Sequence, residues 1–163
     1  MMIGLDTNVV SELLRPVPSS QVEAWLSAQD GAQVYFTAVG EAELRHGVAI
    51  LPAGRRRTAL TKAIEGILDE DFRGRILPFD SAAVKAYAAI AAERRAAGRP
   101  ISQFDCQIAA IARAKAAAVA TRNTTDFEAC GIPLMDPWTL STHEPGPGQT
   151  RAPQRHRQEC CTD

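Results

Sequence analysis

Acidic side chains set at the ends of apolar runs are the chemical resource of this chain. Asp6 directly follows Ile3-Gly4-Leu5, and Asn123 and Asp126 follow Val119-Ala120-Thr121. Asp105 comes three residues after Ser102, and Glu43 comes six residues after Thr37. Other kinds of chemistry find little support. The three histidines, His46, His143 and His156, are too few and too scattered for a metal cluster. The four cysteines, Cys106, Cys130, Cys160 and Cys161, form no C-x-x-C pair, so they predict reduced structural thiols rather than a zinc site or a disulfide framework. No G-x-G-x-x-G, Walker A or G-x-S-x-G pattern is present, which argues against dinucleotide, P-loop and serine-hydrolase functions.

Each acid also has a plainer reading. Asp6 suits the cap of a helix starting at Thr7. Ser102-Gln103-Phe104-Asp105 has capping-box spacing with Asp in the Glu position. Glu43 lies mid-helix, where most Glu are solvated, although Val39, Ala42 and Gly47 share its face. Asp126 suits the cap of its own short helix, and Asn123 suits the turn after a strand. Taken jointly, these residues converge on one edge of a sheet. Carboxylates crowded there without counter-cations raise one another's pKa. A hard divalent cation relieves that repulsion, and oxygen-only ligands select Mg2+ or Mn2+ over zinc. Such an ion lowers the pKa of a bound water and neutralises charge building on a phosphodiester. The chemistry implied is metal-assisted phosphodiester hydrolysis.

The elements that must position these groups alternate. Short apolar runs at Ile3–Leu5, Gln33–Phe36, Arg75–Leu77, Ala118–Thr121 and Ile132–Met135 read as strands. Helical patterns fill Thr7–Leu14, the stretch from Ser19 or Ser20 to Ala28, Ala38–Ile50 behind Thr37, Arg55–Asp71, the Ala-rich stretch from Asp80 or Ser81 to Ala97, and Ser102–Ala117. A helical turn is expected over Asp126–Ala129. Strands alternating with longer helices predict a parallel sheet covered on both faces, with ligands beyond the carboxyl ends of the strands and strand four beside strand one. The 163 residues fit one domain. Residues 141–163 hold three prolines, two glycines and three arginines with hardly any apolar side chains, and are expected to be a disordered tail. Eighteen Lys and Arg against 19 Asp and Glu give a net charge of −1, which excludes a strongly basic nucleic-acid binder but not an enzyme with a local basic patch. The start of the chain lacks the basic and apolar stretches of a signal peptide, and no window approaches the ~18 apolar residues of a membrane span. A cytoplasmic protein without a membrane partner is expected.

Four blocks carry a resemblance: Ile3-Gly4-Leu5-Asp6-Thr7-Asn8-Val9-Val10-Ser11-Glu12, Glu41-Ala42-Glu43-Leu44-Arg45-His46-Gly47, Phe104-Asp105-Cys106-Gln107-Ile108-Ala109-Ala110 and Val119-Ala120-Thr121-Arg122-Asn123-Thr124-Thr125-Asp126-Phe127. In this order they resemble PIN-domain ribonuclease toxins of the VapC type, most of all the FitB-like branch. The likeness covers about residues 2–140 and ends with Asp136-Pro137-Trp138. It implies an α/β, PIN-like three-layer sandwich over residues 1–140, with a short, mostly parallel central sheet of 4–5 strands and helices on both faces.

The resemblance further implies an endoribonuclease whose acidic site binds Mg2+, with Mn2+ able to substitute. Asp6, Glu43 and Asp105 match the family's first three acidic positions and are the expected metal set. The fourth position, often Asp after Thr-Arg, is Asn123 here; it brings no charge, so a second metal would be held weakly, with Asp126 partly substituting. In these terms Asp6 and Asp105 ligate directly, Glu43 ligates or orients the attacking water, and Asn123 and Asp126 support them from outside. Thr121 would offer its hydroxyl to the phosphate, and Arg122 or Arg45 would steady the phosphate or an antitoxin carboxylate. The run Arg55-Arg56-Arg57 reads as a solvated helix start or as an RNA-backbone contact. The partners implied are RNA, a VapB-type antitoxin that inserts a segment into the site, a second copy of the chain, and DNA only indirectly through the antitoxin. Two other functions fit the same residues: a PIN-fold nuclease acting on other nucleic acid without an antitoxin, and a non-enzymatic α/β module whose acidic cleft receives a partner's arginines.

Overall fold

The computed structural model describes residues 1–139 and 141–143. In chain order its strands and α-helices are β1 (Ile3–Leu5), α1 (Thr7–Leu13), α2 (Ser20–Ser27), β2 (Val34–Thr37), α3 (Ala38–Ala49), α4 (Arg55–Glu65), β3 (Ile76–Leu77), α5 (Ser81–Ala96), α6 (Gln103–Ala114), β4 (Ala118–Ala120), α7 (Thr124–Phe127), β5 (Leu134–Asp136) and β6 (Ser141–His143). The strands form one sheet in the order β3-β2-β1-β4-β5-β6. The first five run parallel, as the alternation of strands and helices predicts, and β4 does lie beside β1, with Leu5 opposite Ala120. β6 runs antiparallel to β5, pairing Ser141 with Asp136. Its three residues fall in the segment expected to be tail; the rest of that segment, 144–163, lies outside the described residues.

Alternation along the strands splits the core in two. Ile3, Leu5, Val34, Phe36 and Ala120 face Val9, Val10, Val22, Leu44 and Ile64 on one side of the sheet. Tyr35, Val119 and Leu134 face Ile90, Ile108 and Ile111 of α5 and α6 on the other. Burial on both faces explains why the strands are almost purely apolar. The stretch Arg55–Asp71 is not one α-helix: α4 stops at Glu65 and continues as a π-helical turn over Gly66–Asp71. That turn closes with the Phe72 N–H on the Ile67 carbonyl at 2.9 Å, and Leu68 and Phe72 are both buried. Cys106 and Cys130 are free and buried, and burial raises both thiols, Cys106 to about 11, as inert structural cysteines require. No helix among the described residues is long and apolar enough to cross a membrane.

Gly40 shows how tightly α3 is drawn onto the sheet. A Cβ there would come 2.5 and 2.6 Å from ring atoms of Phe36 and 3.2 Å from Thr7 Oγ1. Phe36 is fully buried and packs on Phe72 with ring centres 5.8 Å apart, so the ring has no room to give. Gly40→Ala is therefore expected to destabilise by about 1–3 kcal/mol through overpacking, despite alanine's better helix propensity. Thermal melting checks it; an unchanged or raised Tm would show that the ring yields.

Candidate active site

The acidic site forms where the carboxyl ends of β1, β2 and β4 meet α1 and α3, which follow β1 and β2, and the first turn of α6, which leads into β4. Asp6 is the first residue after β1, its N–H bonded to the Ala120 carbonyl at 2.9 Å, and it is only 6% exposed. Both carboxylate oxygens are held. Oδ1 accepts the Thr7 N–H at 2.7 Å, so Asp6 does cap α1, and Oδ2 accepts the Thr121 hydroxyl at 2.7 Å. Thr121 Oγ1 itself accepts from Asn8 Nδ2 at 3.2 Å and from the Asn123 N–H at 3.0 Å. With two donors arriving, its single proton is left for Asp6. Burial pushes the Asp6 carboxyl up to about 6. The bonds from Thr121 and Thr7 oppose that rise, while the negative charges of Asp105 and Glu43 add to it.

Glu43 reaches the site from α3. Thr37 caps that helix by accepting the Gly40 N–H at 3.0 Å, and Glu43 then accepts the hydroxyl of Thr7 on α1. Thr7 thus touches two acids, one through its backbone and one through its side chain. Asp105 stands in the first turn of α6, where Ser102 Oγ accepts its N–H at 3.1 Å and donates to its carboxylate at 2.5 Å. Both Glu43 and Asp105 are half-buried. The capping readings of Asp6 and Asp105 and the chemical ones hold together: the cap is what fixes each carboxylate at the sheet edge.

The remaining expected residues differ. Asn123 is exposed and enters the network through its backbone N–H; its side chain makes no capping bond to α7. Asp126 is exposed, its carbonyl accepts from the buried Arg94 at 3.1 Å, and no hydrogen bond ties its side chain to Asp6, Glu43 or Asp105. Thr121 is fully buried with its proton committed to Asp6, which corrects the expectation that it offers its hydroxyl to a phosphate. Arg45 is taken by Glu41 at 2.8 Å and Asp69 at 3.6 Å. Thr7 and Asn8 were missed as site residues. Their signal was the unbroken polar triplet Asp6-Thr7-Asn8 directly after an apolar strand.

No Lys or Arg among the described residues pairs with Asp6, Glu43 or Asp105. The three supply only hard oxygen donors, and the charges of Asp105 and Glu43 add to the rise that burial imposes on the Asp6 carboxyl, which fits a divalent cation of the Mg2+ class. Among the described residues no group of three Asp, Glu, His or Cys side chains is placed to hold a metal ion, so an ion at Asp6 would depend on water and substrate for the rest of its shell. Beside Glu43 a groove of about 880 Å³ opens between α1, α3 and α4, lined by Thr7, Leu44, Val48, Leu60 and Ile64.

The chain has relatives among known proteins. The PIN domain family profile matches residues 3–131. The chain is 44% identical over 137 residues to the VapC ribonuclease Y4jK of Sinorhizobium fredii, covering 84% of this chain and 98% of that one. It is 42% identical over 137 residues to the toxin FitB of Neisseria gonorrhoeae, covering 84% and 99%. Among solved structures, a chain of the FitAB complex bound to an IR36 DNA fragment superposes with a TM-score of 0.81 at 41% identity, covering 88% of this chain and all of that one.

Proposed function

The chain belongs to the PIN-domain family, and from that membership we propose that it is a metal-dependent endoribonuclease, the toxin of a type II toxin–antitoxin pair. The observation that carries this reading is the buried Asp6 carboxylate at the carboxyl end of β1, its pKa raised by burial and further by the charges of Asp105 and Glu43, with no cation among the described residues paired to any of the three. Bound among them, Mg2+ (or Mn2+ in its place) supplies charge neutralisation for a phosphodiester and a water of lowered pKa. Asp6 and Asp105 would hold that ion, and Glu43 would hold it or orient the attacking water. Thr7 and Thr121 keep the Glu43 and Asp6 carboxylates aimed, the task of the polar groups behind any metal ligand. Asn123 and Asp126 would act from the rim, and with Asn rather than Asp at 123 a second ion would be held weakly.

A named ribonuclease and a named toxin among the relatives support RNA as substrate and the toxin role. The apolar groove beside Glu43 suits a segment of a VapB-type antitoxin that reaches the acids, and the FitAB relative is itself a two-component complex on DNA. In the same reading the chain is a cytoplasmic homodimer and meets DNA only through its antitoxin.

Cleavage of total cellular RNA by antitoxin-free protein tests the proposal. Fragments should form with Mn2+ or Mg2+ and vanish in EDTA. Cleavage that persists in EDTA sinks the metal-dependent mechanism. Folded protein that binds Mn2+ through these carboxylates yet cuts DNA alone favours the nuclease without an antitoxin, and folded protein with neither metal binding nor cleavage favours the arginine-receiving module.

A further inference from the structure

Arg122 stands inside the hydrogen-bond network of the acidic site without belonging to its acids. The residue before it, Thr121, donates to Asp6, and the residue after it, Asn123, donates to Thr121. The Arg122 N–H goes to Asn8 Oδ1 at 3.4 Å, so the backbone that launches its side chain is tied to the groups that fix Asp6. Its guanidinium carbon lies 5.5 Å from the centre of the Trp138 ring. Trp138 packs against the apolar core under β1 and β4, which makes the ring a fixed platform. A contact with a ring face uses none of the guanidinium's N–H donors, so Arg122 is held in place with its donors free for an anion.

Arg122 is exposed, and among the described residues no carboxylate lies within ion-pair distance of it. The acid nearest in effect is Glu12, which Arg122 helps to keep ionised. That carboxylate is already engaged, accepting the Ser19 N–H at 2.9 Å and Arg15 at 3.2 Å. Arg45, the other arginine considered from the sequence, is bound by two acids and offers no such opening.

We propose that Arg122, steadied on Trp138, is a phosphate-holding residue of the RNA site. It takes a backbone phosphate next to the one being cut and so sets the register of the strand over Asp6, Glu43 and Asp105. The inference rests on the nuclease reading above. A planar guanidinium matches phosphate oxygens through paired charge-assisted bonds, and a cation beside the acids offsets the field that repels a polyanion.

The test is binding of a labelled single-stranded RNA oligonucleotide by fluorescence anisotropy across a salt series. It uses the full chain carrying Asp105→Asn, with Mn2+ present, so that RNA is bound and not consumed. Adding Arg122→Ala should weaken binding about tenfold, the loss of a charged hydrogen bond. The slope of log K against log salt should become shallower by about 0.7, the share of one phosphate on a single strand. Trp138→Leu should reproduce most of that change, whereas Trp138→Phe, which keeps an aromatic face, should retain binding even if the leucine variant folds poorly. With Asp105 intact, Arg122→Ala should raise KM for cleavage more than it lowers kcat.

Unchanged affinity and slope in Arg122→Ala overturn the inference. So does an equal loss in Arg45→Ala, which would make Arg122 one surface charge among many. Intact RNA binding with weakened capture of the cognate antitoxin also overturns it, because the anion would then be a protein carboxylate. The two failures are separable: wild-type protein that never cleaves RNA sinks the nuclease reading, and cleavage indifferent to Arg122 sinks only this one.

Discussion

Asp6→Asn is expected to slow metal-dependent RNA cleavage by at least about a hundredfold, and Asp105→Asn to do the same, since even groups behind a metal ligand are worth 10–100-fold. Both changes nearly preserve shape while removing a charge, so the loss reports the acid and not the space it fills. Asp6→Asn removes more than a charge. Asp6 accepts from Thr7 on one oxygen and from Thr121 on the other, and an amide can present an oxygen to only one of them. Asp105 accepts from Ser102 at the half-buried start of α6, where an amide is more easily re-accommodated. Initial rates at saturating Mn2+, with melting curves to show that each protein is folded, decide the matter. Rates within tenfold of the wild type would mean that these carboxylates do not hold the ion.

The parts of this molecule legible in the sequence are those where local pattern and global fold agree. The central strands β1 and β4 are apolar runs buried on two faces, and Asp6 could be located because a strand ends immediately before it. Ser102, Thr37 and either Asp80 or Ser81 were legible as caps because the residue types that cap helices are few, and Ser102, Thr37 and Asp80 do accept backbone N–H groups. The rest depended on partners far along the chain. Nothing local in Ser141-Thr142-His143 reads as a strand; the open edge of β5 makes it one. The π-helical turn after Glu65 and the close approach at Gly40 follow from how α3 and α4 meet around Phe36 and Phe72. Likewise the hydroxyl of Thr121 was free in the sequence to serve a substrate, and only the positions of Asn8 and Asp6 direct its proton inward. Spacing puts Asp126 at the sheet edge with Asp6, whereas its side chain is exposed and bonded to none of Asp6, Glu43 and Asp105. Nor did spacing tell that Thr7 joins Asp6 and Glu43.

In EDTA, wild-type protein should lose stability relative to Asp6→Asn as pH rises from about 4 to about 6, by about 3 kcal/mol in all. The sign follows from the protons. The Asp6 carboxyl titrates at about 6 when folded and at the ordinary 3.8 when unfolded. Between those values the folded chain holds a proton that the unfolded chain has given up, so raising the pH favours unfolding. The contribution is fully present below 3.8, fades through the folded value of about 6 and stays lost above it. Asp80 and Glu12 behave oppositely: their carboxyls are lowered, chiefly by the backbone N–H groups of Ala83 and Ser19, and their contribution fades as pH falls. The difference between wild type and Asp6→Asn removes those shared terms and isolates Asp6. A flat difference from pH 4 to 7 would mean that Asp6 titrates alike in both states and that its burial carries no electrostatic cost. A sloping one explains what the cation does for the fold. Asp6 is kept ionised at neutral pH against its burial and against Glu43 and Asp105, and binding Mn2+ relieves that cost by RT ln(1 + [Mn2+]/Kd). Saturating Mn2+ at pH 7 should therefore raise the Tm of the wild type and leave that of Asp6→Asn nearly unmoved, because the acid that destabilises the empty fold is the same one that holds the ion.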